Sequence, residues 1–220
     1  PFLRYSYSQI RIGRNEKEQI TVDEKELVQR MKAKDKTAFD ALYEKYKNTL
    51  LRMAYLVSGQ MYDAEDIVQE TFVKCFLHIG DLKKNEGFRP WLFQILYRTA
   101  YAHGRKRKRE IPEEDIAIRA DATDGVTCLD RIIQTETDWK VKQAVQSLDF
   151  KHRAVVVLYY FNEMPIKEIA RVLGCTEGTA KSRLFAARKK LKDKLIMLEE
   201  GGIKHEEIKS RARHSGLYSL

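Results

Sequence analysis

The chain is poor in the residues that interrupt helices and in those that build covalent frameworks. Four prolines are spread over 220 residues, too few to break up long helical periodicity. No convincing run of alternating apolar and polar residues marks a strand. The three cysteines, Cys75, Cys128 and Cys175, are odd in number, far apart and without CxxC spacing, so neither a disulfide framework nor a zinc site is indicated. A reduced, cytosolic setting is expected. The longest apolar run, Ala154 to Phe161, falls far short of the roughly 20 residues that span a bilayer, so no membrane insertion is expected. The opening "PFLRYSYSQIRIGR" lacks the pattern of a signal peptide. Catalytic patterns are missing as well. His78, His103, His152, His205 and His214 are scattered, and no HExxH, GxSxG or phosphate-loop glycine motif occurs. An enzyme is therefore the disfavoured class, with no catalytic residues, metal or cofactor expected.

What is present is charge and helical periodicity. Hydrophobic residues make up 43% and charged residues 33%, with a net charge of +9, a balance that suits a polyanionic partner. From Glu24 to about Val57, apolar residues such as Leu27, Met31, Phe39, Leu42, Tyr46, Leu50 and Met53 recur at three- and four-residue steps. "SGQMYD" breaks this run, and Asp63 is placed as the cap of a helix through Ile67, Thr71 and Phe76. "GDLKKNEGF" reads as a polar loop, and Pro90 as the first residue of a third long helix. After Arg109 the stretch "EIPEEDIAIRADATDGVTC" turns acidic and reads as a linker. Helical pattern resumes near Asp130, and the polar residues after Glu200 read as a loosely held tail. The expected fold is all-α. It has an N-terminal extension over 1–23, a helical domain over 24–109, a flexible acidic linker over 110–134, a second helical domain over 135–200 and a tail over 201–220.

Three constellations point to function. In "KEIARVLGCTEGTAKSRLFAARKKLK", Ile166, Ile169, Ala170 and Leu173 give one helix a single buried face. Gly174 suits the left-handed conformation that ends it, and Thr176 is a good cap for the next helix. That second helix buries Ala180, Leu184, Ala187, Leu191 and Leu195. This is the spacing of a helix-turn-helix, whose second helix enters the DNA major groove. Glu177, Thr179, Lys181, Ser182 and Arg183 are its groove-facing candidates, with Arg188, Lys189 and Lys192 placed for phosphates. The alternative is a helical hairpin with a solvated basic face.

The second constellation runs from Phe88 to Arg109. Leu92, Ile95, Leu96 and Thr99 form a core stripe beside an aromatic stripe of Phe93, Tyr97 and Tyr101, followed by "RKRKR". Basic residues interleaved with aromatics suit single-stranded nucleic acid, because charge holds the backbone while rings stack on bases. Two rival readings stand beside this one: aromatics as core, with Trp91 and Phe93 expected there, and the basic run as a solvated helix end. The third is "DAEDIVQETF", where Asp66, Gln69 and Glu70 form a polar cluster that can dock a basic partner. Carboxylates in a first helical turn also have a purely local explanation.

These stretches, in this order, resemble the extracytoplasmic-function sigma factors, the two-domain promoter-specificity subunits of bacterial RNA polymerase. The similarity lies in "AFDALYEKYKNTLLRMAY", "DAEDIVQETFVKCF", "FRPWLFQILYRTAYAHGRKRKR" and "LDFKHRAVVVLYYFNEMPIKEIARVLGCTEGTAKSRLFAARKKL". It implies that Asp66, Gln69 and Glu70 face the clamp of the polymerase core. It implies that the 80–88 loop and the following helix engage the minus-ten element and a flipped base, through Lys83, Lys84, Asn85, Phe88, Arg89, Tyr97, Arg98, Tyr101, Arg105, Lys106 and Arg107. The helix after Thr176 would read the minus-thirty-five element with Thr176, Glu177, Thr179, Lys181, Ser182, Arg183, Arg188 and Lys189. An anti-sigma partner is implied as well. The chain departs from the family pattern at Arg98, where Asn is frequent, and at Ala102, where Asp is frequent. It departs again at Asp149, in place of Pro, and at Ala186, in place of Arg. A helix-turn-helix regulator with an N-terminal sensory or dimerisation domain is the competing reading; it needs no polymerase and a palindromic site.

Overall fold

Helix starts and stops follow the capping chemistry of individual residues. The computed structural model describes residues 23–110 and 136–214, with side chains over 23–107 and 140–199. Nearly all of the expected extension and of the expected linker lies outside the described residues; Asp23, the last residue of that extension, caps α1 (Glu24–Lys32) by accepting from the Lys25 amide at 3.3 Å. So do the expected helix start near Asp130 and the last six residues of the expected tail.

The first module contains α1 (Glu24–Lys32), α2 (Lys36–Ser58), α3 (Met61–His78) and α4 (Phe88–Glu110). The long apolar run is thus two helices, parted where Lys34 takes φ 65°. Asp35 then caps α2: its carboxylate accepts from the Thr37 amide at 2.8 Å and the Thr37 hydroxyl at 2.7 Å. Arg30 Nε donates to the same carboxylate at 2.9 Å. The Thr37 hydroxyl first, then Arg30, hold this carboxyl down at about 2. Gly59, at φ 89°, ends α2 in the left-handed conformation.

Two helix starts differ from expectation. α3 starts at Met61, after the extended Gln60, so Asp63 is not its cap. Once Gly59 has turned the chain, the next residue can already begin the helix. The Asp63 carboxylate instead accepts from Arg107 Nη1 at 2.9 Å, tying the start of α3 to the end of α4. α4 begins at Phe88, which makes Pro90 its third residue; an amide in this first turn has no intrahelical partner, so proline costs nothing there. The loop before α4 is less polar in role than in composition, since Ile79 and Leu82 are buried. The core of the module is built on Leu42, Leu50, Met53, Ile67, Leu92, Phe93 and Leu96.

The second module contains α5 (Glu136–Gln146), α6 (Phe150–Val156), α7 (Ile166–Leu173) and α8 (Glu177–His214). Asp149 caps α6 by accepting from the His152 amide at 3.2 Å, so a side-chain cap does here what a proline start does elsewhere. After Val156 the helix widens into a π-type turn over Val157–Phe161, in which the Asn162 amide reaches Val157 O at 3.2 Å. α8 continues through His214, so the expected tail is helical over its described residues. Gly201 and Gly202 cost about 1 kcal/mol each against alanine, too little to stop a helix rich in Glu, Lys and Ile. Among the described residues there is no strand, and no helix is long and apolar enough to cross a membrane. The modules pack together, with α4 along α7 and the end of α2 against α5 and α6.

Candidate nucleic-acid interface

The helix-turn-helix forms as its spacing requires. Gly174 adopts φ 63°, and its amide donates back to Arg171 O at 3.2 Å. A Cβ at this position would meet nothing within 4 Å, so backbone conformation alone sets the demand for glycine. The Thr176 hydroxyl accepts from the Thr179 amide at 3.1 Å and caps α8. Ala180, Leu184, Ala187 and Leu191 are buried, while Leu195 is half-buried. Glu177, Lys181, Ser182 and Lys189 are exposed on the outer surface of α8, with Thr179 and Arg183 half-buried beside them. Ser182 Oγ donates to Thr179 O at 3.0 Å. Phe185, at 74% exposure, stands on this same outer face. Sequence reasoning passed over it, although its place one residue from the buried Leu184 already put it outside the core stripe. Arg188 is less available than expected. Its Nε donates to Tyr160 Oη at 2.8 Å, and its guanidinium lies 5.1 Å from the Tyr159 ring. Ala186 is half-buried at the side of the helix.

On α4 the structure separates members of the expected set. Phe88 is 1% exposed and packs against Tyr46 and Trp91; it is a core residue and cannot touch a strand. Asn85 serves the loop. Its Nδ2 donates to Lys25 O and Gln29 Oε1, while its Oδ1 accepts from Lys32 Nζ at 2.8 Å. Arg107 is held by Asp63 and is half-buried, so it too belongs to the fold. Arg89 donates through Nη2 to Asn162 O at 2.6 Å. Lys83, Lys84, Arg98, Tyr101, Arg105 and Lys106 are exposed. Arg98, Tyr101 and Arg105 share one side of the helix, and Ala102 lies exposed beside Arg98. Tyr97 is half-buried; burial pushes its phenol up, and the nearby Arg183 guanidinium offsets part of that. Phe93 and Trp91, both expected in the core, are buried and half-buried respectively.

The polar cluster on α3 has an apolar neighbour that the sequence reading missed. Asp66, Gln69 and Glu70 line one side with Val73 and Leu77, which are 58% and 63% exposed. Residues 66, 70, 73 and 77 follow the three- and four-residue steps of a single helix face. Two large aliphatic side chains thus stand in water beside the polar cluster on this face. Glu70 is part of a local network, accepting from Lys74 Nζ at 2.7 Å and meeting His103 Nε2 at 2.6 Å. The Lys74 ammonium holds its carboxyl below the usual range against a smaller opposing effect of burial, with His103 adding to the lowering.

The molecule is thus an all-helical pair of modules, one carrying a helix-turn-helix and the other an exposed face of mixed polar and apolar residues, which places it in the class of helix-turn-helix proteins. Residues 42–110 match the family "Sigma-70 region 2" and residues 139–191 match "Sigma-70, region 4". The chain belongs to the ECF RNA polymerase sigma factors. It is 31% identical to the RNA polymerase sigma-H factor of Pseudomonas aeruginosa, over 75% of this chain and 90% of that one. It is 32% identical to the ECF RNA polymerase sigma factor SigM of Mycobacterium tuberculosis, over 77% and 83%. A solved complex of the sigma factor RpoE with the anti-sigma factor NepR from Bartonella quintana is 26% identical, with a TM-score of 0.56 over 71% of this chain and 96% of that one.

Proposed function

We propose that this chain directs promoter recognition by bacterial RNA polymerase, gripping one promoter at two separated places. The observation that carries this is one chain holding three surfaces: a capped basic recognition helix, an aromatic and basic helix, and an exposed docking face. The α3 face binds the polymerase core through Asp66, Gln69 and Glu70, with Val73 and Leu77 burying apolar area. Along α4, Tyr97 and Tyr101 stack on bases of the minus-ten strand while Arg98, Arg105 and Lys106 hold its phosphates. Arg89, Lys83 and Lys84 lie at the helix start, on the approach to the same strand. On α8, Lys181, Ser182 and Arg183 read base edges of the minus-thirty-five duplex, Glu177 accepts from a cytosine amine, and Lys189 pairs with a phosphate. Bases within a duplex are already stacked on one another, so the exposed Phe185 has no base face to cover there; it offers an apolar surface to a thymine methyl group instead.

Likeness to a sigma factor captured with its anti-sigma factor supports an anti-sigma partner for this chain as well, and action on promoter DNA supports a cytoplasmic location. In vitro transcription with purified core polymerase and a promoter library tests the reading. Defined transcripts that require the chain are expected, and their absence at every promoter would overturn it.

A further inference from the structure

Polar ties recur at helical steps along the contact between α3 and α4. Asp63 meets Arg107 at 2.9 Å, Glu70 meets His103 at 2.6 Å, and Lys74 Nζ donates to Thr99 Oγ1 at 3.2 Å. Thr99, His103 and Arg107 lie at four-residue steps and so form one stripe of α4. Their partners run the opposite way along α3, so the two helices are antiparallel here. Thr99 is fully buried, which commits the last tie to the core. The middle tie is different: Glu70 and His103 are both half-buried, at the border of the α3 face that carries the exposed Gln69, Val73 and Leu77.

Both oxygens of the Glu70 carboxylate are engaged. Oε1 accepts from Lys74 Nζ at 2.7 Å, and Oε2 meets His103 Nε2 at 2.6 Å. Among the described residues, Glu70 is the sole ionic or hydrogen-bonding partner of His103. The charges facing the imidazole are therefore Glu70 and Lys74 from α3, with Lys106 and Arg107 about one turn on along α4. α2 and α7 also pack along α4, and neither pairs a charged side chain with His103. Histidine is the side chain that changes charge between about pH 5 and 8. With a neutral imidazole, Glu70, Lys74 and His103 carry no net charge together; with a protonated one they carry a single positive charge. A basic partner surface is repelled by the second arrangement and not by the first.

We propose that His103 is a positioning residue of the α3 docking face: its ring fixes the Glu70 carboxylate, and its protonation sets the charge that the face offers to a basic surface of the polymerase core. Core binding then tightens as pH rises through the range in which histidine loses its proton, and docking at low pH expels that proton. The inference rests on the assignment of this face to the core.

The test measures the affinity of the full chain for purified core polymerase by fluorescence anisotropy, at pH values from about 6 to 8. Wild type is compared with His103→Gln, which keeps a neutral donor for Glu70, and with His103→Lys, which is charged throughout. His103→Gln should match wild type at the top of the range and bind about fivefold more tightly than wild type at the bottom, the value of one charge–charge contact in water. His103→Lys should do the reverse, matching wild type at the bottom and binding about fivefold more weakly at the top. Calorimetry in two buffers of different ionisation enthalpy should detect proton release on binding that His103→Gln reduces. Should His103→Lys lose helix by circular dichroism, the glutamine variant and the calorimetry decide the matter. A His103→Gln that keeps the wild-type pH profile and proton release would overturn the inference, as would an equal loss of affinity at every pH, the mark of a purely structural contact. Leu77→Asp separates this from the interface itself. Wild-type affinity for the core in that variant would overturn the docking assignment, whereas weakened binding there, with a wild-type pH profile in His103→Gln, would overturn the role of His103 alone.

Discussion

Single residues divide into those that hold the fold and those left for a partner. Arg107, Asn85 and Phe88 sit in or beside the expected strand path by sequence, yet all three are engaged in internal contacts. Arg183 and Lys189 lie on α8, and the proposed function gives them different tasks. Arg183→Ala should cost about 1–3 kcal/mol and relax preference at one base pair, whereas Lys189→Ala should weaken all sequences alike and flatten the salt dependence by about one unit. Affinity of the holoenzyme across single-base promoter variants at two salt concentrations separates the two. Asp35 gives a prediction in pH. Its folded carboxyl lies at about 2, below its ordinary value of 3.8, so the stability it adds is present above about pH 4 and is lost as pH falls toward 2. Asp35→Asn keeps a capping oxygen but removes the charge facing Arg30. Its unfolding temperature should be lower than wild type at neutral pH and should converge with it near pH 2 in thermal melts.

Elements were legible where a local rule sufficed. The turn of the helix-turn-helix is one such case: Gly174 is needed for its positive φ and nothing else. Gly174→Ala is expected to cost about 1–2 kcal/mol, the penalty of a left-handed alanine, measured by urea unfolding of the second module's signal. The start of α3 was less legible, because Gly59 and Gln60 moved the boundary ahead of the acidic residue that looked like a cap. The face of α3 was half legible. Its carboxylates and amide stood out by polarity, but Val73 and Leu77 could be assigned to the surface only once the packing of α3 against α2 and α4 was known. Val73→Asp or Leu77→Asp should leave the melting temperature nearly unchanged and weaken core polymerase binding at least about tenfold, given about 1.5–3 kcal/mol for burying such a side chain. Wild-type affinity for the core in both variants would remove this face from the interface.

At the scale of the whole molecule, energy sets the division of labour with polymerase. Opening about ten base pairs at roughly 1.4 kcal/mol per stacking step costs more than ten kcal/mol. The proposed stacking on Tyr97 and Tyr101 would return about 1–3 kcal/mol per base. The chain alone is therefore expected to leave promoter DNA closed, and permanganate footprinting should detect unpaired thymines only when core polymerase is added. Net charge of +9 should make any binding by the free chain weak, non-specific and steeply dependent on salt.

Sequence by itself determined the helices, the buried stripes and the capped recognition helix, because each depends on residues within a few positions of one another. Tertiary structure alone decided which charged and aromatic side chains meet one another: Arg107 with Asp63, Arg188 with Tyr160, and Tyr97 and Tyr101 with Phe150. Those pairings join residues 28 to 53 positions apart, and no periodicity along a chain encodes which distant groups will meet when the helices pack.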